Sequence, residues 1–199
     1  MNANTLHPEY IESVKRWELI RAIVANKAEK YILSPDPNDE VRTVKYREQA
    51  ILTNFTNLTK LGLTGLVFRK EPVIELPPEL DYLESDATGT GITLKQFLQH
   101  AVGDIVLVGR YGFLVDYNDN GRAYFKPYAA ENIINWKTKL VAGEVVLSLL
   151  VLKEEVLKPT EDIFNQETVT QYRALLLSEK NTYYQHVYDD TGNLIEVND

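Results

Sequence analysis

The chain contains no cysteine. That excludes a disulfide framework, thiolate zinc ligation and a cysteine nucleophile, and it fits a reducing compartment without requiring one. Long apolar runs are missing too. A membrane-crossing helix needs about 18 to 20 mostly apolar residues. The best run here, Val145 to Leu152, is interrupted by Ser148 and has the length of a strand. The opening Met1-Asn2-Ala3-Asn4-Thr5 offers neither a basic nor an apolar stretch, which argues against a secretory leader. The adjacent sequons at Asn54-Phe55-Thr56 and Asn57-Leu58-Thr59 then read as incidental. Positive charge is in deficit: 21 Lys and Arg face 29 Asp and Glu, a net charge of −8. Sequence-independent binding of duplex DNA relies on excess cation to displace phosphate counterions, so this balance disfavours it. There is no internal repeat and no low-complexity tract.

What is present is enough for a core. A chain of 199 residues, 44% of them hydrophobic, corresponds to about one domain or one and a half. At this size about 70% of the unfolded surface is buried on folding. The N-terminal half has helical periodicity. From Pro8, the residues Tyr10, Val14, Trp17, Ile20, Val24, Ala28 and Tyr31 recur at steps of three or four. They predict one amphipathic helix ending at Ser34-Pro35-Asp36-Pro37. A second helix is predicted from Asp39 or Glu40 to about Leu66, with Val44, Ile51, Phe55 and Leu58 as its buried stripe. Gly62 and Gly65 on that stripe suggest close approach of another backbone, since each costs about 1 kcal/mol of helix stability. Pro72, Pro77 and Pro78 impose an extended crossing anchored by Val73, Ile74 and Leu76. A small-residue loop, Asp86 to Gly91, precedes a third helix, which Thr93 caps and Gly109 ends.

Beyond Gly109 the period changes to two. Phe113–Tyr117 and Arg122–Lys126 flank Asn118-Asp119-Asn120-Gly121, a hairpin signal because Asn-Gly tolerates positive φ. Ile133–Leu140 and Glu144–Lys153 flank a turn at Ala142-Gly143. Thr168–Leu177 and Tyr183–Tyr188 flank Glu179-Lys180-Asn181, and Asp189–Asn193 makes another turn. The expectation is an α+β fold: a helical part over residues 1–109, with the proline-rich crossing at 72–78, then an antiparallel β-meander over 110–199. Together they form one domain.

Catalytic signals are sparse. Gly89-Thr90-Gly91 lacks the third glycine and the preceding strand of a dinucleotide turn, and Gly62-Leu63-Thr64-Gly65 before Arg69-Lys70 lacks phosphate-loop spacing. Asp116, Asn118, Asn120 and Gly121 match the start of a calcium loop, but Pro127 stands where the bidentate Glu belongs. His7, His100 and His186 are scattered, and no two acids stand out as a catalytic pair. Tyr172, Tyr183, Tyr184 and Tyr188 gather on the last strands near Arg173 and His186. Without basic surroundings, sheet packing or a protein interface explains them better than base stacking. The residues alone predict no cofactor, no metal and an interaction or structural role rather than an enzymatic one.

Three segments resemble the N-terminal part of tailed-bacteriophage portal proteins, in a group often described only as a phage domain of unknown function. They are Tyr46-Arg47-Glu48-Gln49-Ala50 through Leu63-Thr64-Gly65-Leu66-Val67-Phe68-Arg69-Lys70-Glu71-Pro72, then Leu107-Val108-Gly109-Arg110-Tyr111-Gly112-Phe113-Leu114-Val115-Asp116-Tyr117, and Tyr128-Ala129-Ala130-Glu131-Asn132-Ile133-Ile134-Asn135-Trp136. The resemblance runs from about His7 to about Tyr188 and implies the wing region of a longer protein. Portal proteins continue into stem helices, a clip and a tunnel loop, which nothing after Asn193 supplies.

The implied function is structural: a ring, usually of twelve copies, at one vertex of the phage head. Double-stranded DNA passes through its channel without sequence-specific binding, and terminase, head-completion adaptors and capsid or scaffolding protein contact it. The location implied is the virion, with host cytoplasm during assembly, and no membrane. Ring contacts join two different faces of the subunit. Trp17, Arg21, Trp136 and Tyr172 are candidate contacts, with core burial the alternative for both Trp residues. Arg69 and Lys70 are candidates for pairing with acids of a neighbour, or are a solvated helix exit. A non-portal head or tail adaptor, another interaction domain, and a small hydrolase with a dispersed site remain the other readings.

Overall fold

The computed structural model describes residues 2–36, 38–158 and 164–198. Five α-helices come first: α1 (Pro8–Val24), α2 (Glu40–Gln49), α3 (Phe55–Val67), α4 (Tyr82–Ser85) and α5 (Leu94–Val108). Antiparallel strands follow. β1 (Tyr111–Tyr117) and β2 (Ala123–Ala129) form a two-stranded sheet. β3 (Ile133–Val141), β4 (Glu144–Lys158), β5 (Glu167–Leu177), β6 (Tyr183–Asp189) and β7 (Leu194–Asn198) form a five-stranded sheet in sequence order. The fold is therefore α+β, helices first and an antiparallel meander second. Two compact units divide the chain differently from the change in secondary structure at residue 109. Met1–Ser13 and Tyr128–Asp199 make one, and Val14–Pro127 the other, which retains β1 and most of β2 beside the helices.

Several elements stand where local chemistry put them. Thr93 accepts a hydrogen bond from the Gln96 amide while the Gln96 side chain accepts from the Thr93 amide, a complete capping box at the start of α5. Gly109 ends that helix in the left-handed region, with φ 74°. At the β1–β2 tip, Gly121 has φ 71° and the Asn118 amide donates to the Arg122 carbonyl. Ala142 and Gly143, both at positive φ, join β3 to β4. The connection from β4 to β5 includes residues 159–163, which lie outside the described residues.

Two helix expectations are corrected. The first helix stops at Val24, not near Tyr31. Asn26 takes φ 55°, the Lys27 amide reaches back to the Ala22 carbonyl, and the Asn26 amide to Ile23: a Schellman stop with asparagine in the usual glycine position. The Asn54 amide group adds hydrogen bonds to the carbonyls of Ile23 and Val24, at 2.7 and 3.2 Å. The predicted second helix is two helices. Asn54 interrupts it by capping α3, its side chain accepting from the Asn57 amide.

The stripe predicted to be buried is not. Val44, Ile51, Phe55 and Leu58 are all exposed, Ile51 almost completely at 95%. Gly62 and Gly65 are not points of close approach either, because a Cβ at either would meet nothing within 4 Å. Close approach occurs at Gly103 of α5, where a Cβ would sit 3.0 Å from Cε of Lys60. Of the three crossing anchors, Ile74 and Leu76 pack on the core of Ala87, Leu94 and Phe97, whereas Val73 is exposed. Around Phe97 that core is aromatic: Phe125 stacks on it at 5.3 Å, and Phe113 meets it edge-on at 5.8 Å. The 86–91 loop belongs to this core, since the Ala87 amide donates to Ile92 and its carbonyl accepts from Phe125.

Candidate functional site

The most perturbed ionisable group is Glu154, in the middle of β4. Alternation puts Leu152 and Glu154 on one face of the five-stranded sheet, opposite Arg173 and Gln171 of β5, with Val187 and Gln185 of β6 beyond. Both Glu154 and Arg173 are buried. Nε of Arg173 donates to Oε1 of Glu154 at 2.8 Å, Nη2 reaches Oε2 at 3.4 Å, and Nε2 of Gln171 donates to Oε2 at 2.6 Å. The Tyr128 hydroxyl also donates to Oε1, and Nη1 of Arg173 turns to Oε1 of Gln185 at 2.8 Å. Burial alone would push the Glu154 carboxyl up; the hydrogen bonds from Arg173, Tyr128 and Gln171 outweigh it and hold the group down at about 2. A carboxylate held that low is a weak base near neutrality. The cluster ties β4, β5 and β6 together with Tyr128.

The opposite face carries Tyr172, Tyr184 and Tyr188, whereas Tyr183 alternates onto the Glu154 face. Tyr172, paired with Tyr188, and Ala174, paired with His186, share it. Tyr184, His186 and Tyr188 meet edge to face at 5.2 and 6.1 Å, and Nδ1 of His186 lies 3.2 Å from the Tyr188 hydroxyl. An open, mainly apolar groove of about 270 Å³ lies here, lined by Leu149, Val151, Leu176, Tyr188 and the N-terminal residues Asn2 and Ala3. Among the described residues the one charged side chain lining it is Lys137, and no acid–base pair lines it.

Metal and phosphate readings find little support in the geometry. Among the described residues no group of three His, Asp or Glu is arranged to hold a metal ion. At the hairpin tip, Oδ1 of Asn118 is occupied by the amides of Asn120 and Arg122, and Oδ1 of Asp116 by the amide of Tyr117. In the glycine loop, the Gly91 amide donates to Oδ1 of Asp86, so an acidic side chain fills the place of an anion.

The candidate contact residues are dispersed. Trp17 is buried, 6% exposed, with the Arg110 guanidinium 5.5 Å over its ring. One turn on, Arg21 binds Asp104 through both nitrogens at 2.7 and 2.8 Å. Trp136 is half-buried and stacks on His7 at 3.8 Å. Tyr172 is half-buried on β5, opposite Lys153 and Tyr188. Arg69 and Lys70 are exposed just beyond α3. Trp17 and Arg21 are neighbours one turn apart, both engaged with residues of their own unit, and Arg69 and Lys70 adjoin in sequence.

Sequence reasoning missed the surface next to Arg69 and Lys70. In α3 the half-buried residues are Thr56, Asn57, Lys60 and Thr64, which recur at steps of three and four and include those facing Gly103 of α5. The exposed large side chains are all apolar, Phe55, Leu58, Leu61, Leu63, Leu66 and Val67, with Thr59, Gly62 and Gly65 exposed among them. The polar side is turned inward. The Thr64 hydroxyl is buried there with no hydrogen-bond partner among the described residues. The helix is amphipathic with the usual orientation reversed. Periodicity shows that such a stripe exists but not which way it points.

A scan against protein-family models found no match, and a search of curated proteins found none.

Proposed function

We propose that this chain is a structural assembly subunit, the wing-like region of a tailed-phage portal ring, and not an enzyme. The observation that carries an assembly role is the apolar face of α3. A contiguous apolar surface on a folded chain marks a place where another surface belongs. Two further features support the portal reading. The order helix, left-handed Gly109, hairpin with Gly121, short turn Ala130–Asn132 and strand from Ile133 is the order that the resemblance to portals implies. The strongly perturbed carboxylate, Glu154, is saturated by hydrogen bonds rather than poised for proton transfer.

In this reading copies of the chain, as part of a longer polypeptide, close into a ring, twelve by the resemblance. The ring sits at the head vertex of the virion after assembly in the host cytoplasm. Terminase, a head-completion adaptor and capsid or scaffolding protein dock on it. An acidic subunit lets DNA slide without gripping its phosphates. Electron microscopy of the full-length gene product tests the proposal. Rings with a central hole are the expected result; a monodisperse monomer at assembly concentrations overturns it. A closed adaptor ring lacking affinity for terminase would favour the head or tail adaptor instead.

A further inference from the structure

The outward face of α3 is uncharged, its one charged residue, Lys60, facing Gly103, but the segment around the helix is cationic, with Arg69 and Lys70 exposed at its exit. From Thr43 to Lys70 the chain carries five cations, Lys45, Arg47, Lys60, Arg69 and Lys70, against one acid, Glu48. That segment is net +4 in a chain of net −8, which leaves −12 for the remainder. The next segment is its opposite. From Glu71 to Leu94 there are six acids and no Lys or Arg. Glu75, Glu79, Asp81 and Glu84 are exposed there, and so is Val73, 89% accessible in their midst. Gly62 and Gly65, with open space over both, form a shallow trough between the ridges of Leu58, Leu61 and Leu66. The part of this acidic segment that is extended and proline-stiffened, residues 71–77, can lie in such a trough at low entropic cost.

We propose that the outward face of α3 docks a second copy of this chain, whose acidic strap, residues 71–80, lies across it with Val73, Glu75 and Glu79 turned toward the helix. Apolar contact through Leu58, Leu66 and the partner's strap supplies the affinity. The opposed charges of the two segments set orientation and speed of encounter. The contact is heterologous, one face of each copy against a different face of the next. It shares with the portal reading only the idea that copies associate.

Sedimentation of the full chain tests this, using two variants at exposed positions. One carries Leu58→Asp and Leu66→Asp; the other carries Glu75→Lys and Glu79→Lys. Circular dichroism checks that each stays folded. The wild type should self-associate with concentration, more weakly at high salt, and each variant at least about tenfold more weakly. Mixing the variants should restore association, but only to a one-to-one pair, because each retains the face that the other lacks.

A wild type that stays monomeric overturns the inference, as does either variant assembling like wild type or a mixture that stays monomeric. Binding to anionic lipid vesicles, lost in the α3 variant and without self-association, would assign the face to a membrane and overturn it too. Rings that survive both variants overturn this contact and leave the portal reading standing. Open filaments without a central hole, abolished by both variants, uphold the contact and overturn the ring.

Discussion

Glu154 and Arg173 show how much one pair can do in a sheet. The pair is buried, so its worth lies less in mutual attraction than in what happens when one partner goes. Arg173→Met leaves a desolvated carboxylate with two donors, and we expect a loss of about 3–5 kcal/mol in chemical denaturation. Replacing both, as Glu154→Leu with Arg173→Met, should recover most of that loss. The pH dependence has a definite sign. The folded-state value of about 2 lies below the ordinary 4.5. The stabilisation is therefore complete above pH 4.5 and disappears as pH falls from 4.5 toward 2. Urea midpoints at successive pH values should drop through that window, and by less in Glu154→Gln.

Helix ends and helix faces decide more at the scale of elements. Thr93→Ala removes the capping box of α5 and should cost about 1 kcal/mol by thermal or chemical denaturation. Gly109→Ala should cost about 1–2 kcal/mol, because φ 74° is strained for any residue with a Cβ although the space is open. The glycines of α3 give the opposite expectation. Gly62 and Gly65 lie inside a helix with nothing over them, so Gly62→Ala and Gly65→Ala should each stabilise the isolated chain by about 0.5–1 kcal/mol. Had they marked a close helix contact, the same changes would destabilise. α1 is shorter than its apolar spacing predicts because the stop comes from Asn26 in a left-handed turn and from Asn54, which is remote in sequence. The continuing apolar spacing through Ala28 and Tyr31 suggested more helix than the backbone follows.

For the molecule as a whole, net charge is the property with the widest reach. A chain at −8 should leave random duplex DNA unshifted in gel retardation at physiological salt, since no counterion release drives binding. The +4 segment around α3 makes retardation at low salt the sensitive control. A shift that persists at physiological salt would show a basic channel surface that the net charge conceals.

The amino-acid sequence by itself determined the α+β order, the capping of α5 and the turns at Gly109, Gly121 and Ala142-Gly143. Each rests on contacts within a few residues, where side-chain chemistry and allowed φ leave little choice. It also revealed apolar stripes and a low cation count. Only the tertiary structure decided that the α3 stripe faces outward, that Gly103 rather than Gly62 is the close approach, and that Glu154 meets Arg173, Gln171 and Tyr128. Those outcomes depend on which surface another segment covers, and covering is settled by packing between residues far apart in the chain.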